Sequence, residues 1–268
     1  MATRLIIDWT SRECNRYLVE GGDIAVIPVG SVEALGPHLP MGARCFVAEA
    51  FASLLADQVE GVRLPITPFS SAINTFDRAG SVAVPEEVVN SYIRATLDDL
   101  LVGGFRRILL VTHLDYLRYY IPQEFYEDHG VAAAGIHVGE AAYEFAREQA
   151  VGEDSIIVGA LRVLGKRELA QRVIAENTRL LDSGFKPPEL PPELARLRRS
   201  GRIGFTYPPG AYPISPNPEL SGEKGEEVLR QTAAALALAV ESLRDYNAFL
   251  AKRWTTRGLM WRGWRWTE

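Results

Sequence analysis

GSVEALGPHLPMGARCF, Gly30 to Phe46, sits between the apolar run Ile24–Val29 and a helical pattern that starts near Phe46. It places a carboxylate, Glu33, and an imidazole, His38, in a Gly/Pro-rich turn directly after a strand-like segment. A turn of this kind resembles the beginning of a metal site, since carboxylates and histidines supply the lone pairs that a divalent cation needs. Two positions do not fit. Leu35 and Arg44 stand where further ligands would be expected, and neither an alkyl group nor a guanidinium has an electron pair to donate.

Working outward, four short apolar runs have strand character: Ile24–Val29, Val62–Pro65, Ile108–Thr112 and Val131–His137. They lack strict alternation, as expected of strands covered on both faces. Helical patterns lie between and after them. Phe46–Val59 stops at Gly61, the stretch after Pro85 begins with two acids and ends at Gly103–Gly104, and GEAAYEFAREQA follows the fourth run. Further helices are expected from Lys166 to about Leu181 and from about Glu223 to Phe249. Strand–helix alternation of this kind predicts an α/β fold, a three-layer α/β/α sandwich around a mostly parallel sheet. Residues 1–250 read as one such domain, and residues 251–268 as a separate Trp/Arg-rich tail. The proline-rich and then basic FKPPELPPELARLRRSG reads as a surface excursion, and TYPPGAYPISPNPELSG as a long loop.

Composition sets the outer limits. The 268 residues are 47% hydrophobic and 24% charged, the balance of an ordinary globular protein with a substantial core. A net charge of −5 gives no general attraction to nucleic acid or to an acidic membrane. Cys14 and Cys45 show no zinc-module or disulfide spacing, and the N-terminal apolar run is too short for a leader or a span. A cytoplasmic location is the expectation.

The polar residues cluster by strand end. Glu33 follows the first strand, Ser70 and Ser71 the second, and His113 and Asp115 the third. His137 and Glu140 close the fourth. In an open parallel sheet those ends share one edge, where ligands bind. Taken singly each has a plainer reading: His38 satisfying loop carbonyls, for example, or Glu140 as a first-turn helix acid.

At this point the chain resembles the creatininase (creatinine amidohydrolase) family. That family's signature runs Pro-x-Gly-Ser, then Glu-x-His-Gly-Pro-His-Leu-Pro, then an Asp, and Gly30 to Pro40 is similar to it. RAGSVAVPEEVV, GGFRRILLV, HVGE and ELSGEKGEEVL resemble later family segments in order and spacing, across about residues 20–240. The resemblance implies a creatininase-like fold and a hydrolase that cleaves an amide or cyclic amide with water activated by two divalent metals. It also implies a homo-oligomer, commonly a hexamer. Glu33 matches the first metal ligand, whereas the next ligand, a histidine, is Leu35 and the bridging aspartate is Arg44. With one deletion in THLDY, His113 and Asp115 fall on a ligand histidine and glutamate. Without it, Leu114 takes the histidine's place. Ala142 stands where the family has a carboxylate, and His137 matches a histidine of proton transfer and substrate binding.

The departures have physical consequences. Two dications about 3.5–4 Å apart need a bridging anion, and at an effective dielectric near 20 a dication about 4 Å from an arginine is repelled by roughly 8 kcal/mol. Arg44 is therefore expected to pair with Glu33 or Asp115 in the space of the metals, the plainer alternative being an Arg44 in solvent. Three functional readings result. The first is a non-catalytic family member that binds a small molecule or serves in assembly, with no metal, using Ser70, Ser71, Asn74, Asp77, Glu140 and His137. The second is an amidohydrolase with one zinc, manganese or iron ion on Glu33, His113 and Asp115. The third, nucleic-acid binding through RLRRSGR and the tail, is disfavoured by the acidic chain. In the tail Trp254, Trp261, Trp264 and Trp266 interleave with Arg257, Arg262 and Arg265. These rings are expected to dock on a neighbouring subunit or to close over the sheet edge.

Overall fold

The computed structural model describes residues 4–71, 75, 78–186, 188 and 212–265, with side chains for all of these except 115, 116 and 253–265. Asn74, Asp77, Trp266 and most of the proline-rich basic excursion lie outside the described residues. The core is a four-stranded, all-parallel sheet in the order β2-β1-β3-β4. Its strands are β1 (Ile24–Val29), β2 (Val62–Arg63), β3 (Arg107–Thr112) and β4 (Ala134–His137). The chain is thus α/β with a parallel central sheet flanked by helices, as the strand–helix alternation predicts.

The central strands β1 and β3 are buried along their whole length, and their side chains divide between two cores. Ile24, Val26, Leu109 and Val111 face α2 (Ala43–Gln58), α7 (Glu153–Val163), α8 (Arg167–Asp182) and the last helix, α9 (Gly222–Arg265). Ala25, Ile27, Val29, Ile108 and Leu110 face α1 (Ser11–Val19), α3 (Glu86–Val102) and α4 (Asp115–His129). The short α5 (Val138–Ala141) and α6 (Tyr143–Glu148) follow β4. Pro28 has no N–H, yet it sits inside β1. Its carbonyl accepts from Thr67 on the β2 side, beyond the two residues of β2 itself, so no regular ladder bond is lost there.

Three helices are absent from the sequence expectation. The α1 helix carries a full capping box between Thr10 and Glu13. The α4 helix has a clear stripe of Leu117, Ile121 and Phe125, interrupted by Pro122. The α7 helix is buried on every side from Asp154 to Leu161, so its sequence has no polar face to reveal a period. The last helix also runs further than expected, through Arg265, so the stretch after Phe249 up to that residue continues it. It packs on α7 and α2 and passes the amino ends of the strands, where Asn247 bonds the backbone of Arg106 and Ala132.

The α7–α9 crossing depends on missing side chains. A Cβ on Gly225 would lie 1.8 Å from the Ser155 carbonyl oxygen, and one on Gly159 would lie 2.3 Å from the Glu226 nitrogen. Both obstacles are backbone, so the helices would have to separate. Gly225→Ala is expected to destabilise the protein by about 2 kcal/mol, the scale of overpacking, despite alanine's better helix propensity. Urea unfolding midpoints check this, and an unchanged or raised midpoint would contradict the close crossing.

Candidate functional site

Parallel register aligns the strand ends. Val29 pairs with Thr112, and Thr112 with His137, so β1, β3 and β4 finish side by side. Thr67 bridges to Val29, which brings the chain after β2 to the same edge. Glu33, Ser70, Ser71, His113 and His137 therefore gather at the carboxyl edge.

The loop after β1 is held firmly. Glu33 N–H donates to the Met41 carbonyl, Val82 N–H to Val32, and Ile214 N–H to Leu35. Gly30 permits α2 to start against the strand end, since a Cβ there would lie 2.5 Å from the Cys45 Cα. That contact brings Arg44, in the first turn of α2, alongside Glu33. Leu35 is fully buried and packs in the core beneath α2 rather than facing the site. Cys45 donates to the Ser31 carbonyl, and burial, with Glu49 and Glu33 nearby, pushes its thiol up to about 11.

Glu33 is 5% exposed and its carboxylate is surrounded by partners. Ser31 Oγ donates to Oε1 at 2.5 Å and Thr75 Oγ1 donates to Oε2 at 3.0 Å. Arg44 Nε lies 3.0 Å from Oε1, but too far off-line to count as a hydrogen bond, so this contact is an ion pair held by charge. Arg44 Nη1 donates to the His113 carbonyl at 3.1 Å. One guanidinium thus ties the end of β1 to the end of β3.

The histidines divide sharply. His137 Nδ1 accepts from the Glu140 N–H at 3.2 Å, which leaves the ring proton on Nε2 to bond the His113 carbonyl at 3.0 Å. The His113 and His137 rings meet edge-on, 5.3 Å between centroids. His113 is buried, and its Nε2 has no hydrogen-bond partner among the described residues. Burial first, then the Arg44 and His137 charges, hold its pKa well below the ordinary histidine value. His38 is buried too, and neither ring nitrogen has a partner among the described residues. Burial lowers its pKa, with Asp154 and Glu176 opposing.

Glu140 is exposed and ion-paired with Arg118, whose hydrogen bond lowers its carboxyl pKa. Ser70 is fully buried with an unpartnered Oγ among the described residues, and Ser71 lies beside it at the surface of the core. The backbone of Asp115 opens α4, while its side chain is outside the described set. Sequence reasoning missed Ser31, Thr75, Arg118 and Glu153. Glu153 opens α7 with its carboxyl pKa raised by desolvation, against the pull of Arg44. Ser31 stands two residues from Glu33, so its bond was open to local inference. Thr75 is 42 positions away, and nothing local signals it.

The family model for creatininase, creatinine amidohydrolase, matches residues 8–153, which span all four strands and every residue of this edge from Ser31 to Glu140. The chain belongs to the creatininase family. A crystal structure of creatinine amidohydrolase (creatininase) superposes with a TM-score of 0.70 at 16% identity, covering 90% of this chain and 97% of that one. A structure named "Creatininase Mn" gives 0.69 at 16%, covering 90% and 98%. A mutant creatininase of the "Zn-Zn type" gives 0.67 at 16%, also covering 90% and 98%. At such identities the likeness establishes a shared creatininase fold and no more. A comparison with curated proteins found no match.

Against the metal pair that creatininase membership implies, the donors whose side chains are described fit poorly. Both Glu33 oxygens are engaged, Arg44 puts a fixed positive charge against them, and His137 spends its Nδ1 lone pair on the Glu140 N–H. Among the described residues no three His, Cys, Asp or Glu side chains form a group able to hold a metal. Among the described residues the His113 Nε2 has no hydrogen-bond partner.

Two measurements test this site. Arg44→Ala should destabilise the fold by about 3 kcal/mol, because a buried carboxylate loses its cation, and adding Glu33→Gln should recover part of that loss. Thermal and urea unfolding of the two variants measure both steps, and a neutral single variant would mean that the pair contributes nothing. His38 gives a pH test. Its pKa is lowered on folding, so below about 6.5 the unfolded chain takes up a proton that the folded chain refuses. Stability should fall with pH there by up to about 1.4 kcal/mol per unit from this group. His38→Gln should flatten that slope between pH 6.5 and the lowered native value, and an unchanged slope would show His38 titrating normally.

Proposed function

We propose that this creatininase-family protein binds a small polar molecule at the carboxyl edge of its sheet without metal-dependent hydrolysis. The observation that carries this reading is the Arg44 guanidinium, set between the Glu33 carboxylate and the His113 carbonyl. A cation in that place opposes a second cation and consumes the electron density that a metal would use. In this reading Ser70, Ser71, Asn74, Asp77, Glu140 and His137 contact the ligand. His137 offers a tautomer fixed by Glu140 N–H, and Ser70 offers an uncommitted hydroxyl. The acting unit is a domain over residues 1–250 in a cytoplasmic homo-oligomer. No helix among the described residues is long and apolar enough to cross a membrane.

A second reading keeps the amidohydrolase, with one divalent ion on Glu33, His113 and Asp115. It is favoured by family membership and by the buried, unpartnered His113 Nε2. In that arrangement the metal would activate water and polarise the scissile carbonyl. Arg44 would first have to leave Glu33.

Metal analysis of the purified chain separates the two. The proposal expects well under one zinc, manganese or iron ion per chain, no loss of melting temperature with chelator, and no hydrolysis of creatinine or related cyclic amides after metal addition. Stoichiometric metal, lost together with a hydrolytic activity in His113→Ala, would establish the second reading instead.

A further inference from the structure

The helices α7, α8 and α9 form a cleft of about 760 Å³ that shares no lining residue with the carboxyl edge. A space of that size suits a small molecule. Its apolar lining is Val158 of α7 with Ala170 and Ile174 of α8. Each of the three helices also contributes an arginine: Arg162 from α7, Arg167 from α8 and Arg230 from α9.

Glu223 and Glu226 line the same cleft, and they do not cancel that charge. Glu226 lies between two of the arginines, accepting from Arg162 Nε at 3.0 Å and from Arg230 Nε and Nη2 at 3.1 and 2.9 Å. It braces both guanidiniums by their Nε edges. Among the described residues Arg162 Nη1 and Nη2 and Arg230 Nη1 are left without a hydrogen bond. Glu223 is 84% exposed, and its carboxylate lies 3.9 Å from Arg162 Nη2, beyond hydrogen-bond reach. Arg167 and Gln171 make no hydrogen bond or ion pair among the described residues.

The start of α9 lies against these side chains because residue 222 is a glycine. A Cβ there would lie 2.6 Å from Val158 Cγ1 and 3.0 Å from Arg162 Cδ. Ser221 N–H donates to Ser155 Oγ, and Lys224 N–H donates to Ser221 Oγ, which fixes that turn on α7. The cleft thus combines an apolar wall with braced cations from three directions. Guanidiniums so placed surround a tetrahedral, multiply charged oxyanion better than a flat one. We propose that this cleft binds a phosphorylated small molecule, its phosphate on Arg162, Arg167 and Arg230 and its apolar part against Val158, Ala170 and Ile174.

Isothermal titration calorimetry of the full chain at low salt provides the test, with inorganic phosphate, phenyl phosphate, benzoate and phenol as probes. Phosphate should bind, phenyl phosphate should bind more tightly, and phenol should give no heat. Arg167→Glu should weaken phenyl phosphate by about tenfold or more, the scale of one lost charge-assisted hydrogen bond. Ile174→Asp should weaken phenyl phosphate by reversing the character of the apolar wall. Arg172→Glu makes the same charge change on α8 outside the cleft and should leave binding unchanged. Melting curves confirm that each variant folds. Absence of binding by both phosphate probes would overturn the proposal, as would an Arg167→Glu protein that binds normally or an Arg172→Glu protein that loses as much. Benzoate binding as tightly as phenyl phosphate would overturn the choice of phosphate. Capture by phosphatidic acid vesicles without binding of the soluble monoester would replace the small molecule with a lipid headgroup.

Discussion

The carboxyl edge is organised by the need to neutralise one buried charge. Glu33 is almost wholly removed from solvent, and an uncompensated carboxylate there would cost several kcal/mol. Compensation comes from three separate parts of the chain: Ser31 within the loop, Thr75 beyond β2, and Arg44 at the start of α2. Each needs its own segment held in place, so the loop after β1, the approach of α2 at Gly30, and the bridges to Thr67 and Val82 form one constraint. Arg44 then extends this constraint to β3 through the His113 carbonyl, and His137 brings in β4 through the same oxygen. Three strand ends are fastened at one carbonyl.

Leu35 answers the question raised by the signature loop. A side chain at that position need not face the site, and here it lies in the core beneath α2. Loss of a donor at Leu35 and gain of a cation at Arg44 are mutually consistent. With a guanidinium on Glu33 no further ligand is called for, and an alkyl group contributes burial that an unligated imidazole would not.

How much of this the sequence disclosed depended on the range of each signal. The strands β1 and β3 were legible because their apolar runs end sharply at Gly30 and at the polar THLDY, and Ile24–Val29 is reproduced residue for residue. The gathering of Glu33, His113 and His137 followed from parallel topology alone. Helix α7 was not legible, since eight consecutive buried residues leave no polar phase to read. Helix α4 was hidden by Pro122 and by surface tyrosines that dilute its stripe. Thr75 and Arg118 could not be found in advance, because their contacts with Glu33 and Glu140 are made by folding and not by spacing.

The two histidines show how topology sets chemistry after composition has been fixed. Both end up at the same carbonyl, yet only His137 has a backbone N–H, that of Glu140, presented to its Nδ1 by the first turn of α5. That single bond fixes its tautomer and makes Nε2 a donor. His113 lies one residue past β3, where α4 begins only after Leu114, and its Nε2 has no hydrogen-bond partner among the described residues. It is buried near Arg44 and His137, and burial first, then those charges, hold its pKa well below the ordinary histidine value. Arg44, bonded to the His113 carbonyl, sets a fixed positive charge beside this ring and opposes its protonation.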